Sequence, residues 1–173
     1  MATSLYDMTV ASYLQTLSGV AHVLQRGFDH FADTGADANA VVEARLHDDM
    51  LPFRFQVLMV SHHSIGAIEG IKKGVFHPPS AMPDMDYAGL QKSVADATEA
   101  LTALSIDEVN ALEGKDVAFQ FGEFKMPFTA ETFVMSFSLP NFYFHATTAY
   151  DILRTKGVPL GKRDFMGKMR MKV

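Results

Sequence analysis

A chain of 173 residues with 48% hydrophobic and 20% charged side chains has enough apolar surface for one domain with a sizeable core. Its net charge of −5 argues against a nucleic-acid partner, and its lack of cysteine excludes disulfides, thiolate nucleophiles and thiolate-held metals. No apolar run is long enough to span a bilayer, and residues 1–7 lack the basic start and apolar core of a secretory signal, so the expectation is a cytoplasmic protein with no membrane partner.

Residues 4–31 predict a long first helix. Val10, Leu14, Leu17, Ala21, Leu24, Phe28 and Phe31 alternate steps of four and three, which is a bundle seam. A polar loop follows over 32–40, with a short helical turn expected at 41–46. Asp48 or Asp49 is placed to cap a second long helix that tolerates Pro52 in its first turn and runs to about Lys73. One face of that helix carries Leu51, Phe55, Leu58, Met59, His62, Ile65, Gly66 and Glu69. The next face carries Gln56, Val60, His63, Ala67 and Gly70. Adjacent residues differ by about 100° on a helix, so one of His62 and His63 points inward and the other does not. The more apolar companions favour His62.

The prolines in 74–83 forbid a helix there and predict a connection across one end of the bundle. A third helix is expected at about 86–104, with Tyr87, Leu90, Val94, Ala97, Leu101 and Leu104 on its seam. Over 115–128 the apolar period changes to two. A two-residue turn at Gly122 and Glu123 pairs Phe121 with Phe124, Phe119 with Met126 and Val117 with Phe128, giving a β-hairpin (about 116–128) with one apolar face laid against the bundle. Thr129 caps a fourth helix running to about Lys156, with Gly157 and Pro159 beyond it. Pro140 sits inside that helix and predicts a kink or break near 136–139. The fold class is therefore all-α, an up-and-down four-helix bundle with a small β-hairpin before the last helix, in a single domain spanning 1–173. Residues 157–173 form a basic tail, five bases against one acid, either lying on the acidic body or fraying.

The segment 139–154 is the longest aromatic-rich stretch and the best lead to function. Phe142, His145, Ala149 and Ile152 share one helical stripe with Ser138 and Asn141, and polar side chains on an inward stripe need partners. Tyr143 and Tyr150 share a different face, suited to a partner helix. His77 reads as a loop residue.

Residues 45–52, 139–154 (with Pro-Asn-Phe-Tyr-Phe-His at 140–145) and 157–165 resemble an uncharacterised bacterial family of the DinB/YfiT-like superfamily, over essentially the whole chain. The resemblance implies a four-helix bundle, often a homodimer. It also implies a divalent metal held by three histidines, one on the second helix and two spaced by four on the fourth, and in some members transferase or isomerase chemistry with low-molecular-weight thiols. Here the positions four residues from His145 are Asn141 and Ala149, so the third histidine is missing. His62, His63 and His145 remain as metal candidates for Zn, Ni or Mn, with Glu69, Glu131 or Asp49 as a carboxylate in place of the third imidazole. His145, Asn141 and Asp49 are the catalytic candidates.

Two readings stand. In one, the chain is a metal-assisted or thiol-using transferase or hydrolase with a histidine-lined site between the second and fourth helices. In the other, it is a non-catalytic homodimer that binds a small apolar ligand or a protein, with buried neutral histidines fixing bundle register.

Overall fold

The computed structural model describes residues 3–81 and 83–172. Met1, Ala2, Met82 and Val173 lie outside it, and with them the ends of the predicted start and tail and one residue of the predicted connection. The chain is mostly helical with a small three-stranded sheet. Among the described residues no helix is long and apolar enough to cross a membrane.

The first predicted helix is divided. Ser4 caps a single turn, α1 (Leu5–Met8), and α2 (Val10–Thr34) follows after Thr9, whose backbone is not helical. Seam residues Val10, Leu17, Leu24 and Phe31 are buried, whereas Phe28 is exposed. The helical turn expected at 41–46 does not form; a 3-10 turn at Ala38–Val41 lies mostly within the predicted loop instead.

Helix α3 (Phe53–Lys73) begins at Pro52 without a side-chain cap. Asp48 and Asp49 do not cap it. The Phe53 and Arg54 N–H groups donate instead to the carbonyls of Ala44 and Val42, at 2.7 and 3.0 Å. The preceding loop folds back over the helix start and satisfies donors that a carboxylate would otherwise take.

The predicted connection begins as a strand, β1 (Val75–Phe76), which the sequence reading missed because it pairs with a distant partner. Helix α4 (Tyr87–Thr102) is capped by Asp86, and a short α5 (Ile106–Asn110) by Ser105. Strands β2 (Asp116–Phe121) and β3 (Phe124–Thr129) form the hairpin in the expected register, with Gly122 at φ 56° in the turn. β1 adds parallel to β2, giving the order β1-β2-β3. Only the hairpin's base is covered by the body. Val117 is buried, but Phe121 and Phe124 at the tip are 67% and 58% exposed.

The outer edge of β3 is blunted. The Ala118 N–H donates to Gly74, towards β1, so Ala118 and Pro127 form a non-hydrogen-bonded pair and Pro127 turns its backbone outward. The free edge therefore lacks a donor there, and Lys125 flanks it.

Thr129 caps α6 (Ala130–Phe133), which continues through a π segment, Val134–Ser138, into α7 (Leu139–Thr155). The irregularity expected from Pro140 is this widened turn. The ring would otherwise meet the carbonyl four residues back, at Ser136.

The basic tail does not project. Helix α8 (Lys162–Met166) packs on α2. Asp164 accepts from His22 Nε2 at 2.9 Å and lies 3.7 Å from Arg26. Gly19 makes this contact possible, since a Cβ there would come within 2.1 Å of the Phe165 carbonyl oxygen. The same packing covers Tyr150, whose ring lies 5.9 Å from Phe165, while Tyr143 on the same helix stays 41% exposed.

Candidate functional site

Helices α3 and α7 pack along their length and bring two imidazoles together. The inward residue of the adjacent pair is His63, and its ring stacks on His145 with centroids 5.7 Å apart and planes 18° apart. This corrects the preference for His62. The true inward face of α3 is Gln56, Val60, His63, Ala67 and Gly70, all buried. Small Ala67 and Gly70 allow close packing. A Cβ on Gly70 would lie 2.9 Å from Phe76 Cβ, so the glycine is what lets β1 lie against the helix.

His62 sits at the rim. Its Nε2–H donates to the His77 carbonyl at 2.9 Å, and its Nδ1 lies over Gly66 on its own helix. His77 in turn donates from Nδ1 to the Gln120 carbonyl at 3.0 Å. The loop histidine thus ties α3 to the hairpin and holds Pro78 and Pro79 as a lip.

Behind the lip is a pocket of about 240 Å³, lined by Phe55, Met59, His62, His63, Phe76, Pro78, Pro79, Phe119, Phe137, Asn141 and His145. Phe76 and Phe137 lie 5.4 and 5.8 Å from His63, and Phe55 lies 5.7 Å from His145. A larger open cleft of about 590 Å³ lies between Asn39, Glu43, Asp84 and Gly89, away from the imidazoles.

The polar groups at the site are individually held. His145 Nδ1 pairs with Gln56 Oε1 at 2.8 Å, and Gln56 Nε2 donates to the Leu51 carbonyl at 2.8 Å. Asn141 Nδ2 donates to the Phe137 carbonyl at 2.7 Å. Ser138 donates to the His63 carbonyl at 2.7 Å, so the hydroxyl of buried Tyr13, 2.8 Å away, donates to Ser138. His63 Nδ1 is buried without a partner among the described residues.

Burial lowers the basicity of all three imidazoles, because a low-dielectric site penalises the charged form. His63 is pushed down to about 3, helped by its neighbours His62 and His145, and His145 to about 4, helped by His62. His62 also falls, against the opposing pull of its bond to the His77 carbonyl. At neutral pH the site contains no formal charge.

The carboxylate candidates lie elsewhere. Glu69 is 3.7 Å from Lys72, Glu131 accepts from the Gly114 N–H at 2.7 Å, and Asp49 pairs with His47 at 2.7 Å with its side chain 84% exposed. Among the described residues no group of three or more His, Asp or Glu side chains converges as a metal site requires. Of the sequence candidates, His63, His145 and Asn141 share the pocket with His62 at its rim. Gln56 was missed as a site residue, as were the aromatic walls Phe76, Phe119 and Phe137. The signal for Gln56 was its helical spacing with His63, Ala67 and Gly70.

No curated protein matches the chain. Among solved structures it is similar to a crystal structure of a DinB family member from Shewanella denitrificans, with a TM-score of 0.83 and 23% identity over 98% of this chain and 95% of that one. At that identity the likeness establishes the fold. Residues 5–166 match the domain of unknown function DUF1993. That match spans nearly the whole chain, and the protein belongs to the DUF1993 family, with a DinB-like fold.

Proposed function

We propose that the long helices α2, α3, α4 and α7 act as a four-helix frame for a pocket that binds a small, uncharged, largely apolar molecule. The observation that carries this reading is the aromatic cavity floored by two neutral, stacked imidazoles. Pockets of this kind use apolar walls for affinity and a few polar atoms for orientation.

Binding is favoured over base catalysis on magnitude. A base with a pKa of about 4 is mismatched to an ordinary thiol near 8.5. Taking that proton is uphill by about 6 kcal/mol, whereas effective general bases sit near the operating pH. The thiol-using reading thus needs a change in the site that the residues present do not supply.

A divalent ion is the second reading, and the donor set tests it. Two neutral imidazoles approach each other, and Gln56 bonds the Nδ1 of His145 as outer partners of metal-bound histidines do. A catalytic zinc takes three protein ligands. His62 turns its free nitrogen over Gly66, and among the described residues no carboxylate completes a set with the pair. The set does not fit a resident ion.

The pocket is tested by following the ring signals of His63 and His145 by NMR while benzene is titrated in, with exposed His47 as control. Both buried rings should shift and His47 should not. No shift at millimolar probe would discard the pocket reading. Elemental analysis of dialysed protein should find no stoichiometric Zn, Ni or Mn. A stoichiometric ion lost in His145→Ala would replace this reading with the metal one.

A further inference from the structure

We infer that Gln56 fixes the tautomer of His145 and thereby selects a ligand that carries a hydroxyl group. This rests on the pocket being the ligand site proposed above. Gln56 is 2% exposed, so its carboxamide must satisfy itself within the protein. Its Nε2 donates to the Leu51 carbonyl at 2.8 Å. Flipping the amide would set two carbonyl oxygens at that distance with no hydrogen between them. The orientation is therefore settled, and Oε1 is the atom that faces His145 Nδ1 at 2.8 Å. An amide oxygen only accepts, so Nδ1 carries the hydrogen.

A neutral imidazole has one N–H. With it committed to Gln56, His145 Nε2 holds a lone pair. That nitrogen makes no protein hydrogen bond among the described residues and is not sealed off, and the ring lines the pocket. Its demand is for a donor. Beside it, His63 Nδ1 is sealed off without a partner, so its lone pair belongs there and the ring's one N–H sits on Nε2, the nitrogen open to the pocket. A hydroxyl meets both needs, donating to one ring and accepting from the other. None of the lining residues brings a cation, so a carboxylate or phosphate would be buried without a counter-charge. The ligand class that follows is an uncharged alcohol or phenol, with its hydrocarbon against Phe55, Phe76 and Phe137.

Gln56 is here a positioning residue, acting through His145. The test uses the ¹⁵N-labelled full chain at pH 7. Imidazole ¹⁵N signals report the tautomer of His145 without any ligand, and NMR titrations compare phenol, anisole and benzoate. The expected results are a hydrogen on Nδ1, and phenol bound about tenfold more tightly than anisole, with benzoate weakest. In Gln56→Leu the tautomers should mix and the phenol preference should fall to about twofold, while in Gln56→Glu, whose carboxylate can also accept from Nδ1, the tautomer should return. A hydrogen on Nε2 in the native chain, or equal binding of phenol and anisole, overturns the inference and leaves the pocket standing. Failure of all three probes to shift His63 and His145 overturns the pocket and the ligand class with it.

Discussion

Acidification below about pH 6.5 should dismantle this molecule through its buried imidazoles. In the folded chain His63 and His145 refuse a proton until about pH 3 and about pH 4, whereas an unfolded histidine takes one near 6.5. The unfolded chain thus binds two more protons between those values. Stability is fully present above pH 6.5 and is lost as the pH falls towards the folded values. Two protons give a slope approaching about 2.7 kcal/mol per pH unit. By pH 4.5 the loss reaches about 5 kcal/mol, comparable with the whole stability of an ordinary domain, about 5–15 kcal/mol. The assay is urea denaturation followed by circular dichroism from pH 8 to pH 4.5. His63→Phe keeps an aromatic ring in the stack and gives up no protein hydrogen bond of the imidazole. It should halve the slope and make the variant more stable than the native chain at pH 5. Equal stability of the native chain at pH 8 and pH 5, or a slope indifferent to the substitution, would refute the reasoning.

Ser138→Ala removes the hydroxyl that joins Tyr13 to the His63 carbonyl and leaves a buried phenol unpartnered; it should cost about 1–3 kcal/mol in urea at pH 7. Gly19→Ala drives a methyl group into the Phe165 carbonyl, costing about 1–3 kcal/mol and releasing α8, so trypsin should cut at Lys162, Arg163 and Lys168 faster than in the native chain. His77→Ala cuts the link between α3 and the hairpin, and hydrogen exchange should accelerate at residues 118–120 with little change in α2.

Where the apolar period was long, the sequence was a reliable guide. The seams of α2 and α4 bury most of the residues their spacing indicates, Ala21 and Phe28 being the exposed exceptions, and the hairpin register follows from the alternation of Val117, Phe119 and Phe121 with the Gly122 turn. The face of α3 was misread because hydrophobicity was weighed without size. The face holding His62 had the greasier side chains, but Gly70 on the other face lets Phe76 approach, and His63 is buried beside it. β1 was invisible because two residues acquire a strand's identity only from β2, some forty positions on. Asp49 looked like a cap because the carbonyls of Val42 and Ala44 could not be foreseen returning to the start of α3. The Gln56–His145 bond joins residues 89 apart and has no local signature.

The outward-turned Pro127 has a consequence for self-association. Two bare phenylalanine rings at a strand end are an invitation to stack copies of the hairpin into a ribbon. An imino acid and a cation along the same margin break the ladder that such a ribbon would need. The tip can stay greasy for whatever touches it without seeding fibres, and replacing that proline with a β-branched residue would remove the safeguard.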